Sequence, residues 1–178
     1  MSKFEQYNIV LKDLPTEVST IEFILDDVFF KKIDSPEVQR GNVKATVTIR
    51  RKNETFELSF DLNGIVLVSC DRCLDDMELP INYKEKLLVK FGKKFSEEDE
   101  IVIVPETEGA INVAWFLYEF IILNIPIKHV HASGECNKTM ISKLKKHIAR
   151  NKNDDEDDNT LFELEDDDDV ALDGSEMN

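Results

Sequence analysis

The sequence predicts an α+β domain over residues 1–150, built as a curved antiparallel β-sheet or partly closed barrel with two C-terminal helices. A disordered acidic tail is expected at 151–178. Three observations carry this. Long runs between residues 43 and 91 alternate apolar and polar side chains with a period of two, as a sheet with one buried face requires. The links between those runs are short, which suits hairpins and leaves no room for crossover helices. The last third of the chain before the tail changes to helical spacing, and the charge is concentrated beyond it.

Taken in order, residues 5–12 and 17–25 read as short strands separated by Leu14-Pro15. Asp26-Asp27 caps a brief helical turn carrying Val28, Phe29, Phe30 and Ile33. Val43, Ala45, Val47 and Ile49 alternate with Lys44, Thr46, Thr48 and Arg50, and Asn53-Glu54 follows as a tight turn. Phe56, Leu58, Phe60 and Leu62 alternate with Glu57, Ser59 and Asp61, and Gly64 is expected to mark a bulge. Leu79, Ile81, Tyr83, Leu87, Val89 and Phe91 complete a third run. Asn112 reads as the N-cap of a helix from Val113 to Leu123 that Pro126 stops. That helix is apolar nearly all round, so burial on most sides is expected. A second helix is expected from about Lys138 to Arg150, with Met140, Ile141, Leu144 and Ile148 on one face and no acid from Asn137 to Arg150.

Charge narrows the functional classes. The formal net charge is −15, and residues 151–178 hold 13 acids and one base. The other 150 residues carry 21 bases and 24 acids, so a nearly neutral domain is followed by a segment of charge −12. Like charges at that density repel, and few apolar groups are there to be buried, hence the expected disorder. The balance excludes a generally basic nucleic-acid wrapper and a simple binder of anionic membranes. Met1 to Asp13 lacks a basic-then-apolar signal pattern, and the apolar stretch Val113 to Ile125 is too short for a span, so a cytoplasmic location with reduced thiols is expected.

The sharpest chemical feature is Cys70-Asp71-Arg72-Cys73. Two thiolates three positions apart at a strand end can grip one metal ion, and structural zinc takes four such ligands in a closed tetrahedron. The remaining candidates are Cys136, His131 and His129, and the set Cys70, Cys73, His131 and Cys136 would form a Cys3His site. The alternative is a structured turn of small residues without metal. The two histidines have no Ser or Asp placed by sequence to complete a triad, and with only 6 Gly there is no phosphate-cradling loop, so catalysis on a small molecule is not expected. Bases gather at Lys138, Lys143, Lys145, Lys146 and Arg150, and again at Lys84, Lys86, Lys90, Lys93 and Lys94 beside a hairpin tip at Arg50-Arg51-Lys52. Either patch suits phosphate-backbone or protein contact better than base reading, because aromatics are scarce among them.

Cys70-Asp71-Arg72-Cys73-Leu74, the stretch Leu117 to Ile127, and His131-x-x-Gly134-x-Cys136-Asn137 together resemble the bacterial YceD family, named for accumulation of the large-subunit ribosomal RNA. The likeness includes Asp27-x-Phe29-Phe30 and Gly41, and it spans roughly residues 18–147. It implies a cytoplasmic, non-enzymatic factor in making the large ribosomal subunit, with large-subunit ribosomal RNA, a large-subunit ribosomal protein, or both as partners. Many members carry a second C-x-x-C near the C-terminus. Here Cys136 stands alone, which makes His131 the necessary fourth ligand of any zinc site. A second functional class stays open: an interaction or chaperone-like module whose acidic tail shields a basic ribosomal protein without touching RNA. The same tail, directly after a basic helix, is also positioned to compete with RNA phosphate for Lys138 to Arg150.

Overall fold

A computed structural model describes residues 3–14, 18–98 and 101–147. Its strands are β1 (Asn8–Val10), β2 (Val18–Leu25), β3 (Arg40–Lys52), β4 (Thr55–Ser69), β5 (Asp76–Gly92), β6 (Ser96–Glu98), β7 (Ile101–Pro105) and β8 (Ala110–Asn112). Its helices are α1 (Asp27–Ile33), α2 (Ala114–Asn124) and α3 (Lys138–His147). A six-stranded sheet runs in the order β2-β3-β4-β5-β7-β6, and β1 pairs with β8 in a separate ribbon. The class is α+β, as the alternating runs predict.

The three long strands follow from period two. Val43, Val47, Leu58, Phe60, Leu62, Ile81 and Val89 are buried on one face, and Lys44, Asp61 and Lys84 stand on the other. Lys44 pairs with Glu22 at 2.8 Å, Lys84 with Asp61 at 3.0 Å and Lys52 with Glu57 at 2.7 Å. These exposed pairs fix cross-strand neighbours more than they stabilise the fold. Asn53 turns the β3–β4 hairpin in the left-handed region, with φ of 55°.

Gly64 is not a bulge. It keeps register opposite Val43 and Ile81, and a Cβ there would lie 2.2 Å from the Asn42 carbonyl oxygen, so β3 approaches too closely for any side chain. Gly41 has a comparable role. A Cβ would meet Ile65 O at 2.9 Å and the Phe30 ring at 3.0 Å, and its N–H donates to Asp27 Oδ1 at 2.9 Å. Asp27, Phe30 and Gly41 thus join α1 to the start of β3. Asp26 caps α1 by accepting from the Phe29 N–H at 3.0 Å.

The barrel alternative is corrected: the sheet is open, with β2 and β6 at its edges. Closure would need those two strands to pair, and β6 offers only three residues among those described. The sheet is also not wholly antiparallel. The chain leaves β5, forms β6 one lane out, and returns as β7 in the vacated lane, parallel to β5 with Leu88 opposite Ile101. Residues 5–12 are not one strand either. Tyr7, Ile9 and Leu11 are buried, but the partner strand β8 has only three residues, so 3-10 turns flank a short β1.

Helix α2 packs against the sheet through Phe120, whose ring lies 5.1 Å from that of Phe60 and 6.2 Å from that of Tyr83. It starts one residue later than expected, at Ala114, whose N–H donates to Asn112 Oδ1 at 3.1 Å. Ile125 is extended, as a residue before proline prefers to be. Trp115 and Leu123 are exposed, so this helix is buried on fewer sides than its composition suggests. No helix among the described residues is long and apolar enough to cross a membrane. The expected tail at 151–178 lies outside the described residues.

Candidate metal centre

The turn from β4 to β5 is closed by its own backbone. The Cys70 N–H donates to Asp75 O at 2.8 Å and the Leu74 N–H to Cys70 O at 2.9 Å. Leu74 is left-handed, with φ of 64°, a conformation such closure holds in place for a residue that seldom adopts it. The Arg72 N–H points at Cys70 Sγ, 3.4 Å away. The turn therefore presents Cys70 and Cys73 inward and aims a backbone donor at one sulfur.

The segment after α2 is fastened to this turn by Asp71. Its N–H donates to His129 O at 3.0 Å, and its Oδ2 accepts from the His129 N–H at 2.7 Å. The His129 ring stays with this clip: Nε2 lies 3.8 Å from Asp71 Oδ1 and Nδ1 lies 3.1 Å from Pro126 O. His131, two residues on, faces the sulfurs instead. Its Nδ1 is 3.4 Å from Cys73 Sγ and 4.0 Å from Cys136 Sγ, while its Nε2 lies 3.3 Å from Asp76 O. With the proton on Nε2, that carbonyl accepts it and Nδ1 keeps its lone pair for a ligand. Cys136 Sγ is 3.9 Å from Cys70 Sγ.

The donor atoms of Cys70, Cys73, His131 and Cys136 all lie within 4.8 Å of one another. A zinc ion with Zn–S bonds of about 2.3 Å spaces its sulfurs about 3.8 Å apart, so closing on an ion takes movements of about 1 Å or less. The chemistry of the set fits zinc. Three thiols and one imidazole supply soft and borderline donors, and four protein ligands leave no position open for a substrate, which is the pattern of a structural site. Met77, Val130, Met140 and Ile141 pack around the cysteines.

The protons are unevenly distributed. Burial pushes the Cys70 thiol up, but backbone N–H groups of Cys73, His131 and Arg72 outweigh it and hold the thiol down at about 6. Burial, then the Cys70 and Cys73 sulfurs, push Cys136 up to about 11. The Cys70 sulfur, as hydrogen-bond acceptor, raises His131 above the usual imidazole value. A divalent cation would take the place of whatever thiol and imidazole protons the cluster holds.

Helix α3 begins at this centre. The Asn137 side chain accepts from the Thr139 N–H at 3.0 Å and the Met140 N–H at 3.3 Å, and its amide donates to Asp75 Oδ2 at 3.0 Å. Met140 and Ile141 face the cysteines, and Lys138 and Lys143 are exposed. Lys145 and Lys146 belong to α3, but their side chains lie outside the described residues, as does all of Arg150. In the second basic cluster, Lys52 and Lys84 are engaged in the ion pairs given above. Asp71 and Asn137, quoted in the motifs but given no role there, are the residues whose hydrogen bonds tie the segments of the cluster together. Asn137 carried a signal, a capping residue immediately before a run free of acids.

A family model described as "Large ribosomal RNA subunit accumulation protein YceD" matches residues 58–173. The match takes in all four candidate ligands and α3. Neither the curated proteins nor the solved structures contain a significant match.

Proposed function

Since the chain belongs to the family of large ribosomal RNA subunit accumulation protein YceD, we propose that it acts without catalysis in the cytoplasm, supporting accumulation and processing of large-subunit ribosomal RNA. In this reading zinc at Cys70, Cys73, His131 and Cys136 fixes the base of α3, and the helix presents its lysines to RNA phosphate. The observation that carries it is the coupling of the four-ligand cluster to α3: Cys136 is a candidate ligand, Asn137 caps the helix, and Lys138 and Lys143 are exposed on it. Lys145, Lys146 and Arg150 extend the run of bases in sequence. Contacts of this kind give affinity and orientation with little sequence information.

Binding to large-subunit ribosomal RNA fragments, followed across a salt series, tests this. The double variant Lys138→Glu/Lys143→Glu should bind more weakly at low salt. Its log–log salt slope should flatten by roughly 0.7–0.9 for each phosphate that is no longer neutralised. An unchanged slope would remove the RNA contact from α3.

A further inference from the structure

A groove of about 1180 Å³ borders the side of α2 that the sheet leaves open. Val104 of β7 and Ile111 of β8 contribute to its lining, and Phe95, Trp115 and Leu123 offer exposed apolar surface to it. Trp115 is 64% exposed and stacks on Tyr118, with ring centroids 5.7 Å apart and planes 21° from parallel. The Tyr118 hydroxyl donates to Glu37 Oε2 at 3.3 Å, which steadies the stacked pair. An exposed, oriented tryptophan beside apolar neighbours is the usual anchor of a protein-binding surface.

The charge around it selects the occupant. Glu37, Glu97, Glu108 and Glu119 line the groove against Lys3 and Lys32. The Ser35 hydroxyl is the first of the groups that hold Glu37 below the usual carboxylate range, so this acid is ionised at neutral pH. A net negative lining repels the segment 151–178, a second copy of a chain of charge −15, and RNA phosphate. We propose that the groove binds a basic peptide segment of a partner protein, with an apolar side chain seated against Trp115 and flanking Lys or Arg side chains meeting the glutamates. An Arg or Lys laid over the indole would add a cation–π contact. The groove shares no residue with the cysteine cluster or α3, so this inference does not depend on the RNA reading.

Trp115 is the only tryptophan in the chain, so its emission reports the groove directly. The full-length protein is titrated with a short synthetic peptide of Lys, Arg and Leu, with the same peptide carrying Glu for each basic residue, and with oligouridylate. The basic peptide should give a saturable shift in emission, and the other two none. The Glu97→Gln and Glu119→Gln changes should each weaken binding by up to about fivefold, the range of exposed ion pairs. Trp115→Ala, followed by calorimetry, should weaken it roughly thirtyfold or more, as loss of an anchor does. Lys138→Glu/Lys143→Glu should leave peptide binding unchanged, which separates this test from that of the RNA reading. No response to the basic peptide, or an equal response to the acidic one, overturns the proposal. A response to oligouridylate instead would make the groove a base-stacking site and overturn it as well.

Discussion

Cys73→Ser should abolish the proposed zinc binding and release α3 from the β4–β5 turn. Structural zinc sites in small domains contribute about 10–16 kcal/mol of apparent binding free energy, and removing one thiolate of four takes away much of it. The local consequence should be larger than the global one. Among the described residues helix α3 has ten, fewer than the roughly 12–15 that an isolated helix needs in water. Its first turn holds no acid, and Lys138 there opposes the helix dipole. Among the described residues, Asn137 and the packing of Met140 and Ile141 on the cysteines hold it. Elemental analysis of protein purified without chelator should give one zinc per chain in the parent and close to none in the variant. Hydrogen exchange should lose protection at 138–147 and keep it in β3, β4 and β5. A variant that keeps its zinc, or a protected α3 without metal, would refute the coupling.

Phe60→Ala should lower stability by about 3–5 kcal/mol, the usual cost of deleting a buried aromatic ring. Phe60 is 2% exposed in the middle of β4, and its ring meets Phe120 of α2. The void would sit where helix and sheet join, with backbone on both sides limiting collapse. Against a typical domain stability of about 5–15 kcal/mol this is a large fraction. Urea unfolding should show a lower midpoint with an unchanged slope. A loss under about 1 kcal/mol would mean that α2 does not close the core at this point.

The long strands were legible because one face of each is buried, and period two records that directly from Val43 to Phe91. The lane order was not. Alternation says nothing about which strand lies beside which, so the parallel β5–β7 pair left no mark. Ile101-Val102-Ile103-Val104 is apolar on both faces and does not alternate, which hid β7. The candidate metal cluster was legible by residue type, since only three cysteines and three histidines compete for four places. Spacing kept His129 among the candidates while the Cys3His set took His131. Asp71 separates the two in the structure, by engaging His129 across 58 positions in sequence. The open side of α2 was hidden for the opposite reason. A helix apolar nearly all round carries no direction in its sequence, so nothing marked Trp115 and Leu123 as the exposed members.

Sedimentation of ribosomal particles from cells lacking the protein tests the functional account most directly, with a tagged copy located across the gradient of complemented cells. A factor for large-subunit RNA accumulation predicts fewer mature large subunits relative to small ones. It also predicts the tagged protein migrating with immature large-subunit particles. An unchanged ratio of subunits, with the protein remaining at the top of the gradient, would contradict it.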